Sequence, residues 1–221
     1  MRYILVCAFL AFSLLSQAYD WDPSVYRVGK KYPGHVVTND GDTIRGFIKA
    51  RLRCSLTGVG KSNQTYCEFY RNEGDKKPIG KYKPEDIAGY QIADKIYKSI
   101  PYSGGLSSKK LNFNLLVQDG QIAQYNFFSN QEGAATARKN DAESWEEFDA
   151  RVYSTSIVLQ KGDDRPRESN YYMLSFAKRV SELVSDHEEL AESVRNKEKG
   201  YRMLKFYEII EEYNRWYRDN H

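Results

Sequence analysis

The residues of this chain that could perform chemistry are scattered along the sequence. Residues 58–62, Gly-Val-Gly-Lys-Ser, end like a phosphate-binding loop. Ser55 stands where that motif needs its first glycine, and neither a buried strand nor a helix is predicted on its flanks. We therefore interpret the segment as a polar surface loop, and we expect no nucleotide or other cofactor.

The histidines do not form a metal-binding or catalytic pattern. The three are His35, His187 and His221, and none has another histidine or a cysteine two to four residues away. The sequence also lacks the Gly-x-Ser-x-Gly elbow of a serine nucleophile and a Cys–His pair. We predict no catalytic residue and no metal ligand from these residue types.

Acidic residues are common, and several of them lie in pairs. The pairs are Asp40 and Asp42, Asp163 and Asp164, and Glu146 and Glu147. Each pair falls in a turn or on a helical surface, where carboxylates favour turn formation or contact solvent. Folding could still bring distant acids together, so a carboxylate-based hydrolase acting on glycan or peptide stays open as an alternative.

Residues 1–18 have the pattern of a signal peptide. Arg2 provides a basic start, residues 3–15 form an apolar run, and Ser16 and Ala18 are the small residues of a cleavage site. The run is too short for a permanent membrane span, and no later stretch is long and apolar enough. We expect cleavage after Ala18 and export to the periplasm, the cell surface or the medium.

Two cysteines, Cys54 and Cys67, remain after the expected processing. In an oxidising compartment an even pair most simply forms one disulfide. We predict that bond, with two free thiols as the alternative.

Composition limits the partner classes. The chain has a formal net charge of +3, to which Arg2 contributes one, and the basic residues are not gathered in one block. This pattern does not indicate a nucleic-acid partner. The 18 tyrosines are unusual, and tyrosine suits both half-buried strand faces and recognition surfaces because it joins an apolar ring to a polar hydroxyl.

The first part of the mature chain, residues 19–165, is predicted to be a β-rich body. Residues 35–48 predict a hairpin around the turn 39–42, and residues 111–128 predict a second one around the turn 118–120. Further strands are predicted at 65–70, 87–92, 95–100 and 152–159. Residues 131–150 interrupt the pattern as a short helix or a surface insertion. Short strands joined by tight turns indicate an antiparallel arrangement.

Residues 166–221 change to a helical period, with three helices predicted. The first places Tyr172, Phe176, Val180 and Leu183 on one face, and the second begins at Ser185 or Asp186 and ends before Gly200. The third has an apolar stripe of Phe206, Ile209, Ile210, Tyr213, Trp216 and Tyr217. We predict an α+β protein: an antiparallel β-rich body (a sandwich, roll or partly open barrel) with three C-terminal helices packed on or beside it as one unit.

Three sequence segments resemble a group of uncharacterised secreted and envelope proteins of Bacteroidota. They are the Gly-Asp-Thr-Ile-x-Gly hairpin opening at 41–46, the Tyr-x-Pro-x-Asp-Ile-x-Gly-Tyr centre at 82–90, and the Glu-Tyr-Asn of the helical tail at 212–214. The resemblance implies a bacterial cell-envelope setting and no catalytic residue. Cys54 and Cys67 are not part of its pattern.

These patterns favour an exported, non-enzymatic binding or assembly protein that uses a tyrosine-rich surface. Its expected partner is an envelope protein or glycan. A pocket with two facing acids of raised pKa would favour the hydrolase instead, whereas an open, aromatic-lined face would favour binding.

Overall fold

The computed structural model describes residues 29–51, 63–105, 109–130, 141–142, 147 and 151–221. The strands are β1 (Lys31–Thr38), β2 (Thr43–Lys49), β3 (Cys67–Tyr70), β4 (Gly80–Tyr82), β5 (Ile87–Ile92), β6 (Lys95–Ile100), β7 (Asn112–Gln118), β8 (Ile122–Asn130), β9 (Tyr153–Lys161) and β10 (Arg167–Glu168). The helices that follow are α1 (Ser169–Met173), α2 (Phe176–Leu183), α3 (Glu188–Arg195) and α4 (Phe206–Asn220), with a 3-10 turn at Met203–Lys205 before α4.

The described strands form one antiparallel sheet in the order β10-β9-β8-β7-β6-β5-β1-β2-β3-β4. The β1–β2 hairpin starts a meander that runs out to β4, while β5 returns to the other side of β1 and starts a second meander to β10. β4 and β10 are therefore the two edges of an open sheet. The predicted α+β class is confirmed, since α2, α3 and α4 follow the sheet at the C-terminus.

Both predicted hairpins are present. In the first, Thr38 donates its N–H to the carbonyl of Asp42 at 2.9 Å, and Gly41 has a φ of +91°, which glycine adopts without strain. In the second, β7 and β8 are joined through Gly120 at a φ of +156°. These glycines occupy the positions that the turn pattern assigned to them.

The sheet curls so that the segment before β3 reaches the opposite meander. The Gln64 side chain accepts the N–H of Phe128 and donates to its carbonyl, both at 2.8 Å, while the Gln64 carbonyl accepts the N–H of Phe113 at 2.8 Å. Tyr90 donates its hydroxyl to the Asn63 carbonyl from within the curl. The enclosed core consists of Val36, Ile48, Ala50, Cys67, Phe69, Ile87, Tyr90, Ile92, Tyr97 and Phe113.

The helices cover one face of β8 and β9. Ile122 and Leu159 share a core with residues of α1 to α4, whereas Tyr125 and Val158 belong to a separate cluster. Strand neighbours point to opposite faces, which explains this division. The remaining members of the helical core are Tyr172, Phe176, Val180, Val184, Leu190, Ala191, Val194, Phe206, Ile209, Ile210 and Tyr213.

Asn214 of α4 fixes the helical layer to the sheet by a direct polar contact. Its amide accepts the N–H of Ile122 at 2.8 Å and donates to the carbonyl of Ile122 at 2.9 Å. Pairing of β7 with β8 ends at Gln118 and Gln124, so the amide occupies the place of a neighbouring strand. A Cβ on Gly120 would lie 2.6 Å from the Asn214 side chain, so this contact also requires a glycine.

The prediction for the start of the second helix is wrong. Ser185 or Asp186 was expected as N-cap, but α3 begins after His187, which makes no side-chain capping bond. Asp186 instead accepts hydrogen bonds from Lys161 of β9 at 2.7 Å and Tyr213 of α4 at 2.5 Å. The Asp186 carboxylate therefore forms a long-range ion pair instead of a local helix cap.

Among the described helices, none has the length and apolar character that crossing a bilayer requires.

Candidate functional site

A basic cleft of about 490 Å³ opens at the edge of the sheet beside β4. Three segments distant in sequence form its walls. The lining residues are Thr65 and Tyr66 before β3, Lys81, Lys83, Pro84 and Glu85 from β4 and the following turn, and Lys110, Leu111 and Asn112 at the start of β7.

Hydrogen bonds hold the three walls in place. The bond from Phe113 to the carbonyl of Gln64 sets residues 110–112 beside Thr65 and Tyr66. On the second wall, the Asp86 carboxylate accepts the Lys83 N–H at 2.8 Å. Ser99 of β6 donates to the Pro84 carbonyl at 2.5 Å. The cleft is therefore formed by fixed backbone.

The cleft carries excess positive charge. The described lining residues include three lysines, Lys81, Lys83 and Lys110, and one carboxylate, Glu85. Within the described part of the chain, none of these lysines forms an ion pair with a carboxylate. Their ammonium groups are thus available to a negatively charged ligand.

Tyr66 provides the aromatic wall, and two cations contact its ring. The ammonium of Lys81 lies 4.4 Å from the ring centroid and the guanidinium of Arg51 lies 4.8 Å from it. Such contacts hold the cations in position without neutralising them. Burial raises the pKa of the Tyr66 phenol, against the opposing charge of Arg51, so the ring is a neutral surface at physiological pH.

Glu68, behind this wall, is held as a carboxylate. It pairs with Arg51, lies 3.9 Å from the Lys49 ammonium, and accepts the Tyr70 hydroxyl at 3.2 Å. Burial alone would raise the pKa of Glu68, but the bond and charge of Arg51, the charge of Lys49 and the bond from Tyr70 together outweigh it and hold that pKa below its usual range. Glu68 therefore orients Arg51 and is unsuited to act as a general acid.

Among the described carboxylates, Asp186 is the other one with a shifted pKa, and it lies in the helical layer. Burial opposes its ionisation, yet the bonds from Lys161 and Tyr213 and the charge of Lys161 keep its pKa low. Lys161 also donates to the Leu183 carbonyl at 2.7 Å. This cluster joins β9, the α2–α3 connection and α4, and its contacts are those of a structural link.

The hydrolase alternative would require facing acids, one of them with a raised pKa. The pKa values of Glu68 and Asp186 are both shifted in the opposite direction, and Glu85 is the one acid among the described residues that line the cleft. Over the residues that the structure describes, no group of three or more His, Cys, Asp or Glu side chains could hold a metal ion. The arrangement of lysines, amide and phenol is suited to anion binding.

The predicted disulfide involves one residue that the structure describes. Cys67 begins β3, fully buried with a free thiol, and burial raises its pKa. Cys54 and the glycine-rich loop 58–62 lie outside the described residues, as does most of 131–150. The disulfide stays a prediction.

The structure describes all three histidines and two of the three acid pairs, whereas Glu146 lies outside the described residues. His35 lies on β1, and burial and the nearby Arg45 lower its pKa. His187 stacks on Trp216 with ring centroids 4.4 Å apart. Asp40 and Asp42 flank the first hairpin turn, and Asp163 and Asp164 lie in the exposed turn after β9. None of these residues lines the cleft.

Most described tyrosines belong to the core rather than to a recognition surface. Nine are buried, five are partly buried, and Tyr207 is exposed. Tyr90 and Tyr97, for example, stack at 4.9 Å inside the curled sheet. Some of their hydroxyls have internal acceptors: Tyr90 donates to the Asn63 carbonyl, and Tyr213 donates to the Asp186 carboxylate. Tyr66 is the tyrosine that lines the cleft.

Sequence reasoning did not find the cleft lysines. Lys110 is separated from Lys83 by two complete strands, and only folding brings them together. The alternation of Lys81, Tyr82 and Lys83 was the one local signal, since it places both lysines on the same side of an edge strand.

Comparison with known proteins provides no template for this site. No protein-family model, curated protein or solved structure matches the chain. The function must be inferred from the chemistry of the cleft itself.

Proposed function

We propose that this chain is an exported, non-enzymatic binding or assembly protein of the bacterial cell envelope, and that its basic cleft binds an anionic group of a protein or glycan partner. The observation that carries this proposal is the set of three cleft lysines that no described carboxylate neutralises. A ligand with carboxylate or phosphate groups would gain charge-assisted hydrogen bonds there.

Several features support the separate parts of the proposal. The signal-peptide pattern of residues 1–18 supports export. The downward pKa shifts of Glu68 and Asp186 support binding over acid catalysis. The fixed walls favour recognition because a preorganised site loses little entropy when it binds. The sequence predicts a tyrosine-rich binding surface, whereas Tyr66 is the one tyrosine among the described residues that line the cleft.

Fluorescence anisotropy with a labelled hexaglutamate peptide tests the proposal, with polygalacturonate and inorganic pyrophosphate as competitors and a hexalysine peptide as negative control. The cleft variant Lys81→Gln/Lys83→Gln/Lys110→Gln should weaken binding at least about threefold, since each exposed charge contact contributes roughly 0.2–1 kcal/mol. Affinity should also fall as salt screens the cleft.

A matched variant controls for net charge. Lys76→Gln/Lys77→Gln/Lys98→Gln removes three exposed lysines that do not line the cleft, and its affinity should stay within about twofold of wild type. Failure of every anionic probe to bind, or equal losses in both triple variants, would contradict the proposal.

A hydrolysis assay tests the non-enzymatic part separately. The processed chain should release no product from peptide or glycan substrates over prolonged incubation. Turnover that disappears in Glu85→Gln would show that the cleft acid is catalytic and would overturn this part of the proposal.

A further inference from the structure

A second surface, at the start of α4, exposes large apolar side chains. Leu204 is 97% exposed, Met203 48% and Tyr207 42%, and Leu174 in the α1–α2 connection is 80% exposed. Met203, Leu204 and Tyr207 lie within five residues of each other, and we call these three residues the apolar tip. Single exposed hydrophobic residues are ordinary on a protein surface, whereas a grouped set marks an interaction surface.

A buried ring fixes the start of α4 to the helical core. Phe206, between Leu204 and Tyr207, is buried, and its ring lies 5.8 Å from that of Tyr172 and 6.0 Å from that of Phe176. The buried ring of Phe206 thus anchors the segment that carries the apolar tip.

The segment that carries Leu204 is held in a defined conformation. Met203–Lys205 forms a 3-10 turn, and Lys205 donates its N–H to the Arg202 carbonyl at 2.8 Å. The Arg202 guanidinium donates to the Lys197 carbonyl at 3.1 Å. The turn therefore presents Met203 and Leu204 outward on a fixed backbone.

Basic residues predominate in the segment that leads into the apolar tip, and we call them its basic surround. Residues 195–205 contain five basic side chains and one acidic side chain, whereas Glu208, Glu211 and Glu212 follow on α4. Glu208 is paired with Lys205 at 2.7 Å. The segment that carries Met203 and Leu204 therefore has a positive net charge.

We propose that the apolar tip and its basic surround dock on the surface of an anionic lipid bilayer. Met203, Leu204 and Tyr207 would enter the headgroup boundary, while Lys199 and Arg202 would contact lipid phosphates. Amphipathic surfaces with cations beside apolar side chains bind membranes in this way. Charge complementarity selects this partner over a second copy of the chain, because two such surfaces would repel each other. The inference is independent of the cleft, since no residue of the tip lines it.

Vesicle sedimentation tests this inference on the exported, processed chain, with its N-terminus checked by intact mass so that residues 1–18 do not contribute. Wild type should bind phosphatidylcholine/phosphatidylglycerol vesicles and bind pure phosphatidylcholine vesicles at least about tenfold more weakly. Met203→Ser/Leu204→Ser should lower the partition coefficient for anionic vesicles at least about tenfold. Lys199→Gln/Arg202→Gln should lower it about fivefold for each charge removed.

Three controls keep the result specific. Ile79→Ser/Val117→Ser removes two exposed apolar residues of the sheet and should bind like wild type, as should Lys76→Gln/Lys77→Gln. The triple lysine variant of the cleft should also bind vesicles normally, which separates this inference from the proposed function.

Three results would overturn the inference. One is absence of binding to anionic vesicles, and another is equal binding to neutral and anionic vesicles. The third is a dimer, seen by sedimentation velocity, that Met203→Ser/Leu204→Ser abolishes while vesicle binding is unaffected.

Discussion

Replacing Asn214 by alanine should destabilise the protein by about 2–6 kcal/mol. The Asn214 amide satisfies both the N–H and the carbonyl of Ile122, at 2.8 Å and 2.9 Å, and both residues are buried. Alanine would leave these two peptide groups without partners, and each unsatisfied buried group costs roughly 1–3 kcal/mol. Most single substitutions destabilise a protein by less than this.

Urea denaturation monitored by circular dichroism gives the free energy of unfolding directly. Arg215→Ala, the next residue on α4 and an exposed one, is the matched control and should change stability by less than about 0.5 kcal/mol. A loss below about 0.5 kcal/mol for Asn214→Ala, or equal losses in both variants, would refute the view that Asn214 joins the helical layer to the sheet.

Asn214→Asp adds a test that depends on pH. The aspartate can still accept the Ile122 N–H, but its charged form places an oxygen against the Ile122 carbonyl. Burial and this repulsion should raise its pKa in the folded state above the unfolded value of about 3.9. The variant should therefore be closest to wild type below that unfolded pKa and should lose stability as pH rises through the folded pKa. A deficit independent of pH would contradict the proposed geometry.

Three further predictions concern other links in the fold. Asp186→Asn should lower the melting temperature at pH 7. The difference from wild type should shrink as pH falls below about 4, because the lowered pKa of Asp186 stabilises the folded state only while the carboxylate is charged. An unchanged melting temperature at pH 7 would count against the ion pair with Lys161. Truncation after Asp164 should give insoluble or partly unfolded protein by size-exclusion chromatography and circular dichroism, since the sheet would lose its helical cover; cooperative folding at full-length stability would identify the helices as an independent domain. Thiol labelling of the exported chain in denaturant without reductant should leave Cys54 and Cys67 unmodified, whereas labelling of both under these conditions would rule out the disulfide.

The local elements of the sheet could be predicted because their signals are local. Alternating apolar residues and tight-turn residues located both hairpins and the pair β5 and β6 to within a few residues. β4, with three residues, and β10, with two, are too short for alternation to be detected.

The curl of the sheet and the start of α3 could not be predicted because both depend on contacts distant in sequence. Gln64 bonds Phe128 across 64 positions, and Asp186 bonds Lys161 and Tyr213 rather than capping its own helix. The sequence shows that these residues are a glutamine and an aspartate, but it does not show which distant groups Gln64 and Asp186 bind.

The candidate site was missed for a related physical reason. The tyrosine count indicated aromatic side chains but could not distinguish core positions from surface positions, and folding buried most of the described rings. Lys81, Lys83 and Lys110 have no special spacing, so their shared cleft follows only from the pairing of β3 with β4 and the bond between Phe113 and Gln64.

Lysine footprinting tests the central claim most directly. The acetylation rate of each lysine is measured by mass spectrometry with and without saturating hexaglutamate peptide. The account predicts that the peptide protects Lys81, Lys83 and Lys110 while Lys76, Lys77 and Lys98 react at unchanged rates. Binding of the peptide with no protection of the cleft lysines, or with equal protection of all six, would contradict the assignment of the cleft as the anion-binding site.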